Sequence, residues 1–285
     1  MTQPEDKFIQ LDEIRLHLRV WQPSVNEQEK PVFLLLHGLS SNARTWDLVA
    51  PLLTAAGYTA IAVDQRGHGL SSKPDHGYDF ATITSDLNQL VLALGLDRPI
   101  LVGQSWGGNV VLEAGVRYSD LVRGLVFVDG GFLRLSARGS WEQVSEQLRP
   151  PDLIGIPRTA LAERIAGMHP GWVPDGVEMT LGNFEHLPDG TVRPWLTLEN
   201  HMKILRALYD QDVTTLFPRV SVPVLICPAD DGSEWSASKR PLVEAAAGNI
   251  PDARVRWFEG SAHDIHVDRP EELSAELIEF AAHLV

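Results

Sequence analysis

The chain has 285 residues, 44% hydrophobic and 22% charged, enough apolar material for one large domain, with or without an insertion. Its formal net charge of −14 repels phosphate backbones and anionic lipid, which argues against nucleic-acid and membrane partners. Cys227 is the single cysteine, so an intramolecular disulfide and a thiolate metal cluster are excluded, and a reducing cytoplasm is the expected setting. The opening MTQPEDKFIQLDE is polar and acidic where a signal peptide is basic and then apolar, and no apolar run approaches the roughly 18 residues of a membrane span.

In chain order, Lys7–Gln10 and Ile14–Trp21 flank the acidic turn Leu11-Asp12-Glu13, and the alternation of Ile14, Leu16, Leu18 and Val20 predicts an antiparallel hairpin at a sheet edge. Pro31–Leu36 then reads as a strand, followed by a helix presenting Trp46, Val49, Leu53 and Ala56 and stopped by Gly57. The unit repeats with strand Thr59–Val63 and a helix carrying Ile83, Leu87, Leu90 and Leu94. It repeats again with strand Pro99–Val102 and a helix from about Gly107 to Tyr118, and Gly124–Val128 is a further apolar run. Strands apolar on both faces, separated by amphipathic helices, predict a parallel sheet covered on both sides.

That rhythm breaks over residues 132–220, where Trp141–Leu148, Thr159–Met168 and Leu196–Tyr209 look helical between proline-rich interruptions and no apolar strand is evident. The segment reads as a helical insertion. Alternation resumes with strand Val222–Cys227, a helix near Lys239–Ala247, strand Arg254–Phe258 and a last helix placing Leu273, Leu277, Phe280, Ala281 and Leu284 on one face.

Between the third parallel strand and its helix stands Gly103-Gln104-Ser105-Trp106-Gly107, a GxSxG sequence in the strand-turn-helix context that such a motif requires. A sharp turn around a strained nucleophile needs small neighbours, which the glycines supply. On these residues the chain resembles the α/β-hydrolase family, as a serine esterase-like member with a helical cap. The resemblance implies a mostly parallel sheet of about eight strands with helices on both faces, residues 1–131 and 221–285 forming the core and 132–220 the cap.

The same resemblance assigns a triad in the order nucleophile, acid, histidine. Ser105 is the nucleophile. His263, in Glu259-Gly260-Ser261-Ala262-His263 and ahead of Val267-Asp268-Arg269-Pro270, is the base, with His266 as the nearby alternative. The acid is expected in Pro228-Ala229-Asp230-Asp231, where Pro228 replaces the family's usual glycine; the register favours Asp231 over Asp230, and Asp129 after Val128 ranks last. Backbone amides of Trp106 and of Leu39, in the His37-Gly38-Leu39-Ser40-Ser41 loop, are the implied oxyanion donors and the first substrate contacts, while His37 is expected to brace that loop. Asp64 and Arg66, in Asp64-Gln65-Arg66-Gly67-His68-Gly69, are expected to pair as a structural brace.

No metal-ligand run, phosphate-cradling loop or dinucleotide fingerprint accompanies these motifs, so no metal and no cofactor is expected. Serine at position 105, where dehalogenases and epoxide hydrolases of this fold carry aspartate, argues against those activities. The sequence-level expectation is hydrolysis of a carboxylic ester of small or medium, partly apolar shape through an acyl-enzyme. Lactonase, carbon-carbon hydrolase and cofactor-free haloperoxidase or perhydrolase chemistry remain alternatives on the same triad, and a noncatalytic ligand receptor is the alternative from another class. Aromatic and Met residues of the insertion, Trp141, Trp172, Trp195, Phe184, Met168, Met179 and Met202, are expected mostly to pack internally, with some roofing the cleft. Oligomeric state is left open.

Overall fold

The computed structural model describes residues 3–24 and 30–284; residues 1, 2, 25–29 and 285 of the expected core range lie outside the described residues. The hairpin forms from β1 (Glu5–Gln10) and β2 (Arg15–Trp21), paired antiparallel. It is followed by β3 (Phe33–Leu36), α1 (Ala50–Ala55), β4 (Ala60–Asp64), α2 (Phe80–Ala93), β5 (Ile100–Gln104), α3 (Trp106–Arg117) and β6 (Gly124–Val128). Beyond the insertion come β7 (Val224–Cys227), α8 (Glu234–Asn249), β8 (Ala253–Val255), α9 (Ile265–Asp268) and α10 (Pro270–Ala282), the labels α4 to α7 being those of the insertion. These eight strands make one sheet in the order β1-β2-β4-β3-β5-β6-β7-β8, antiparallel only at the β1-β2 and β2-β4 pairings.

The period-two geometry of a strand explains why these runs are continuously apolar. In β3, Leu34 and Leu36 enter a core layer shared with Ile83, Leu87 and Leu90 of α2 and Val110 and Val111 of α3. Phe33 and Leu35 enter the opposite layer with Leu53 of α1 and Leu273, Leu277 and Phe280 of α10. Both faces are covered, and the C-terminal strand edge is left as the place where loops can carry chemistry.

The insertion holds α4 (Trp141–Gln147), α5 (Arg158–Met168), α6 (Pro174–Leu181) and α7 (Leu198–Asp210). It is not wholly helical: Ile156–Pro157, Thr191–Pro194 and Phe184–His186 form a small antiparallel sheet. Those strands were invisible as an apolar pattern because each is two to four residues long and only partly buried, with Val192 buried in the cap's own core beside Leu161, Ile165 and Leu181 and with Ile156 and Phe184 packed against it. No helix among the described residues is long and apolar enough to cross a membrane.

The expected Asp64–Arg66 pair does not form. Asp64 sits at the end of β4 and accepts hydrogen bonds from the backbone N–H groups of Ala43 and Leu70 and from His17 Nδ1, pinning two loops beneath the strand edge. Arg66 turns the other way and forms a two-pronged pair with Asp86 of α2, at 2.7 and 2.9 Å, its own side chain 1% exposed. Asp86→Ala leaves that buried guanidinium with only the exposed Glu13 carboxylate at 3.6 Å, and a loss of about 3 kcal/mol in unfolding free energy is expected from denaturant titration.

Candidate active site

The crossover from β5 to α3 is a reversal with no room for side chains. Ser105 adopts φ 53° and ψ −122°, in the region that L-residues avoid, at a cost of order 1 to 3 kcal/mol. Packing holds it there. A methyl group on Gly103 would overlap the backbone of Gly107 and Gly108, one on Gly107 would strike the carbonyl of His37, and one on Gly130 would overlap the carbonyl of Ser105 itself. The Ser105 N–H donates to Val128 O at 2.9 Å, so the turn is fixed to the end of β6 as well.

His263, on the loop before α9, reaches back to this turn. The loop is shaped by Asp268, which accepts from the Ala262 N–H at 2.9 Å and from Ser261 Oγ at 3.0 Å with one oxygen, and from Trp172 Nε1 of the insertion at 2.7 Å with the other. The imidazole Nδ1–H donates to Asp129 Oδ2 at 2.6 Å. Gln104 Nε2 lies 3.2 Å from His263 Nε2 and donates toward it, which leaves Nε2 as the nitrogen with a lone pair. Desolvation by the surrounding loops pulls the His263 pKa down, yet the hydrogen bond and charge of Asp129 outweigh it and hold the pKa above the ordinary histidine value.

The carboxylate on His263 is therefore Asp129, not Asp231. Asp231 is engaged locally: it accepts from the Ser233 N–H, from Ser233 Oγ and from Ser236 Oγ at 2.6 Å, and these bonds hold its pKa down at about 2, while Ser233 caps α8. Asp230 pairs with Arg240. The reason lies in the chain after β7: it turns at once into α8, and Arg240, Ser233 and Ser236 of that segment occupy the two carboxylates. His266 is buried against Trp46, with Asp264 rather than Asp129 as its carboxylate neighbour at 3.9 Å.

Asp129 itself has φ 44°, a second strained residue at the same strand edge. Gly131, two residues on, donates its N–H to Asn109 Oδ1 of α3 at 3.0 Å, and Asn109 Nδ2 donates to Gln211 Oε1 at 2.8 Å, which locks the exit from β6. Asp129 is 1% exposed and takes donors on both oxygens: the Ala229 N–H and Lys239 Nζ on Oδ1, His263 and Lys239 Nζ on Oδ2. Desolvation pushes its pKa up, but His263 and Lys239 more than compensate and keep it below the ordinary carboxylate value. Sequence reasoning missed Lys239 and Gln104. Lys239 had a signal, since it shares its helix face with Ser236, Val243 and Ala246, the buried stripe of α8, where an unpaired lysine is not tolerated.

Opposite the serine, the loop after β3 carries Leu39. His37 braces that loop as expected: its Nδ1–H donates to Gly38 O at 2.7 Å and its Nε2 accepts the Gln65 N–H at 3.1 Å, an arrangement that needs a neutral ring and agrees with its burial-lowered pKa. Among the described residues the N–H groups of Leu39 and Trp106 have no hydrogen-bond partner, and Leu39 and Ser105 line one cavity. The Trp106 indole does not line it; the ring is buried and stacks on His68 at 5.5 Å.

That cavity, about 170 Å³, is also lined by Ser40, Ser41, Thr45, Thr180, Asn183, His263 and His266. Its lining is largely hydroxyl, amide and imidazole, which departs from the expected apolar roof. The insertion's large apolar groups are spent elsewhere: Trp141 packs on Tyr209, Phe184 and Met202 pack into the cap and main cores, Met179 is buried, Trp195 lies under Lys73 and Met168 faces solvent. Trp172 alone of that set reaches the cavity, and its indole N–H is committed to Asp268.

Residues 33–276 match the model of the alpha/beta hydrolase family. The chain belongs to this family. A relative from Mesorhizobium japonicum, 2-(acetamidomethylene)succinate hydrolase, is 28% identical over 251 residues, covering 87% of this chain and 88% of its own. The crystal structure of an E-2-(acetamidomethylene)succinate hydrolase superposes with a TM-score of 0.79 at 26% identity, covering 98% of this chain and 99% of the other. An enol-lactonase from Burkholderia xenovorans shares the fold with a TM-score of 0.73 at 20% identity over 97% of this chain and 100% of its own. Hydrolase activity is what this family membership and the site have in common.

Two outcomes are expected. Asp129→Asn presents His263 with the wrong hydrogen-bonding partner and lowers the rate of Ser105 labelling by a fluorophosphonate by about 10⁴-fold, whereas Asp231→Asn leaves it within about twofold of wild type. The wild-type labelling rate falls as pH drops through the raised pKa of His263, because only the neutral ring accepts the serine proton; the midpoint of that fall is expected above the ordinary histidine value of about 6.5.

Proposed function

We propose that this alpha/beta hydrolase cleaves short, polar, uncharged carboxylic esters through an acyl-enzyme. Ser105 Oγ attacks the ester carbonyl while its proton passes to His263 Nε2, and Asp129 holds the ring by Nδ1 and stabilises the imidazolium. The negative charge that develops on the carbonyl oxygen is met by the Leu39 and Trp106 amides, a contribution of about 3 to 4 kcal/mol for each donor in comparable sites. His263 returns the proton to the departing alkoxide, and a water activated by the same nitrogen releases the acid from Ser105.

The observation that carries the reading is the convergence on one cavity of a strained serine, an aspartate-held histidine and the unengaged Leu39 amide, with the unengaged Trp106 amide next in the chain to that serine. Its size of about 170 Å³ lies below the range common for drug-sized ligands and suits a small acyl group. Hydroxyls of Ser41, Thr45 and Thr180 and the amide of Asn183 favour an acyl portion that makes hydrogen bonds. No Arg or Lys is among its lining residues, which favours a neutral substrate over an acid such as the succinate in the relative's name.

A panel of p-nitrophenyl esters tests this reading. Acetate and hydroxyacetate esters are expected to turn over faster than butyrate or longer esters, and Ser105→Ala is expected to reduce turnover to near background. Unchanged turnover in Ser105→Ala would remove the mechanism, and absence of Ser105 labelling in folded protein would favour a noncatalytic receptor.

A further inference from the structure

The Asp129 carboxylate has a second partner that a three-residue relay does not call for. Lys239 extends from α8 so that Nζ lies 2.9 Å from Asp129 Oδ1 and 3.1 Å from Oδ2, with the lysine side chain 2% exposed and the aspartate 1%. Oδ2 is the oxygen that also receives the His263 Nδ1–H. One carboxylate oxygen is thus shared between the ammonium and the imidazole. A lysine kept on the buried stripe of a helix carries a large desolvation cost that packing alone does not offset, since an apolar side chain of similar volume would fill the space without it.

We propose that Lys239 is a positioning residue of the catalytic relay, fixing the Asp129 carboxylate against His263 and sharing its negative charge. Two consequences follow from the geometry. With both oxygens bridged by Nζ and one more bond from the Ala229 N–H, the carboxylate cannot rotate away when the imidazole moves toward Ser105. And because the Asp129–Lys239 pair is neutral as a unit, His263 gains less stabilisation of its protonated form than an isolated carboxylate would give, so it stays available as a base to lower pH. The other charged or titratable groups facing the ring are Asp264, beside it in sequence, and His266 on α9; neither touches Asp129.

This inference rests on the hydrolase reading, so its test uses the one reaction which that reading requires. When a fluorophosphonate labels Ser105, Oγ bonds to phosphorus, fluoride leaves and the hydroxyl proton passes to His263. The second-order labelling rate is measured against pH and expressed per folded, labelled site. In Lys239→Met the midpoint of the acidic fall is expected to rise by about one pH unit, a loss of about tenfold in rate at pH values below it. Lys239→Arg, which returns a cation to the carboxylate, is expected to bring the midpoint back toward wild type. A purely structural lysine would change the yield of folded protein and leave the midpoint in place, and that result overturns the proposal. Should Lys239→Met fail to fold, Asp129→Asn/Lys239→Met, which buries no unpaired charge, is compared with Asp129→Asn. The ammonium left beside His263 in the single variant lowers its midpoint, so the double variant is expected to show a higher one, and coincident midpoints overturn the proposal. A folded wild-type protein that is not labelled at Ser105 at any pH would sink the hydrolase reading, and this inference with it, by a result distinct from coincident midpoints.

Discussion

The backbone reversal at Ser105 is the constraint around which the strand edge is built. A serine at φ 53° persists only if its neighbours leave no other conformation open, and here three adjoining segments do so at once. Gly103 lets α3 start against β5, Gly107 lets it lean on the end of β3, and Gly130 lets the chain leaving β6 cross the serine carbonyl. The order β4-β3-β5-β6-β7 is what brings those segments together, since parallel strands deliver the loops that follow them to the same edge. The conformational cost at Ser105 and Asp129 is thereby carried by the two-sided burial of the sheet.

Histidines at that edge show how partners decide roles. His37 is neutral because it donates with one nitrogen and accepts with the other, so it serves as a spacer between two loops. His68 donates to the Arg66 carbonyl and lies buried on the Trp106 ring, where desolvation and the neighbouring His37 hold its pKa well below the usual value. His263 differs in having a carboxylate on one side and, with its side chain 46% exposed, an open approach on the other. The same side chain is a strut, a stacking plate and, in the proposed mechanism, a base within one small region.

Much of this was legible in the sequence for identifiable reasons. Continuous apolar runs such as Phe33–Leu36 and Ile100–Val102 are what a strand buried on both faces requires, and the glycines around Ser105 report a steric demand that few other residues satisfy. His263 was readable because its loop leads directly into α9 and α10. The acid was not, because the choice between Asp129 and Asp231 depends on which side chains reach each carboxylate, His263 on Asp129 but Ser233 and Ser236 on Asp231, and such partners leave no periodic trace. The partners of Asp64 and Arg66 were misread for a related reason: the two stand two positions apart, yet His17 and Asp86, their actual partners, come from segments 47 and 20 residues away. The polar lining of the cavity was hidden as well, since Thr180 and Asn183 are unremarkable until α6 and the turn after it are laid over the Leu39 loop.

The insertion is bonded to both halves of the site. Asn42 donates to the Gly182 carbonyl, Ser41 to Asn183 and Ser40 meets His201 on the Leu39 side, while Trp172 holds Asp268 on the His263 side. A cap attached in this way is a fixture of the machinery, and it cannot be exchanged as a module. Transplanting the roof of a related enzyme onto this sheet would remove the anchors of both loops together, so altering selectivity here calls for a point change such as one at Thr180, whose hydroxyl bonds only within its own helix, with the scaffold of hydrogen bonds left whole.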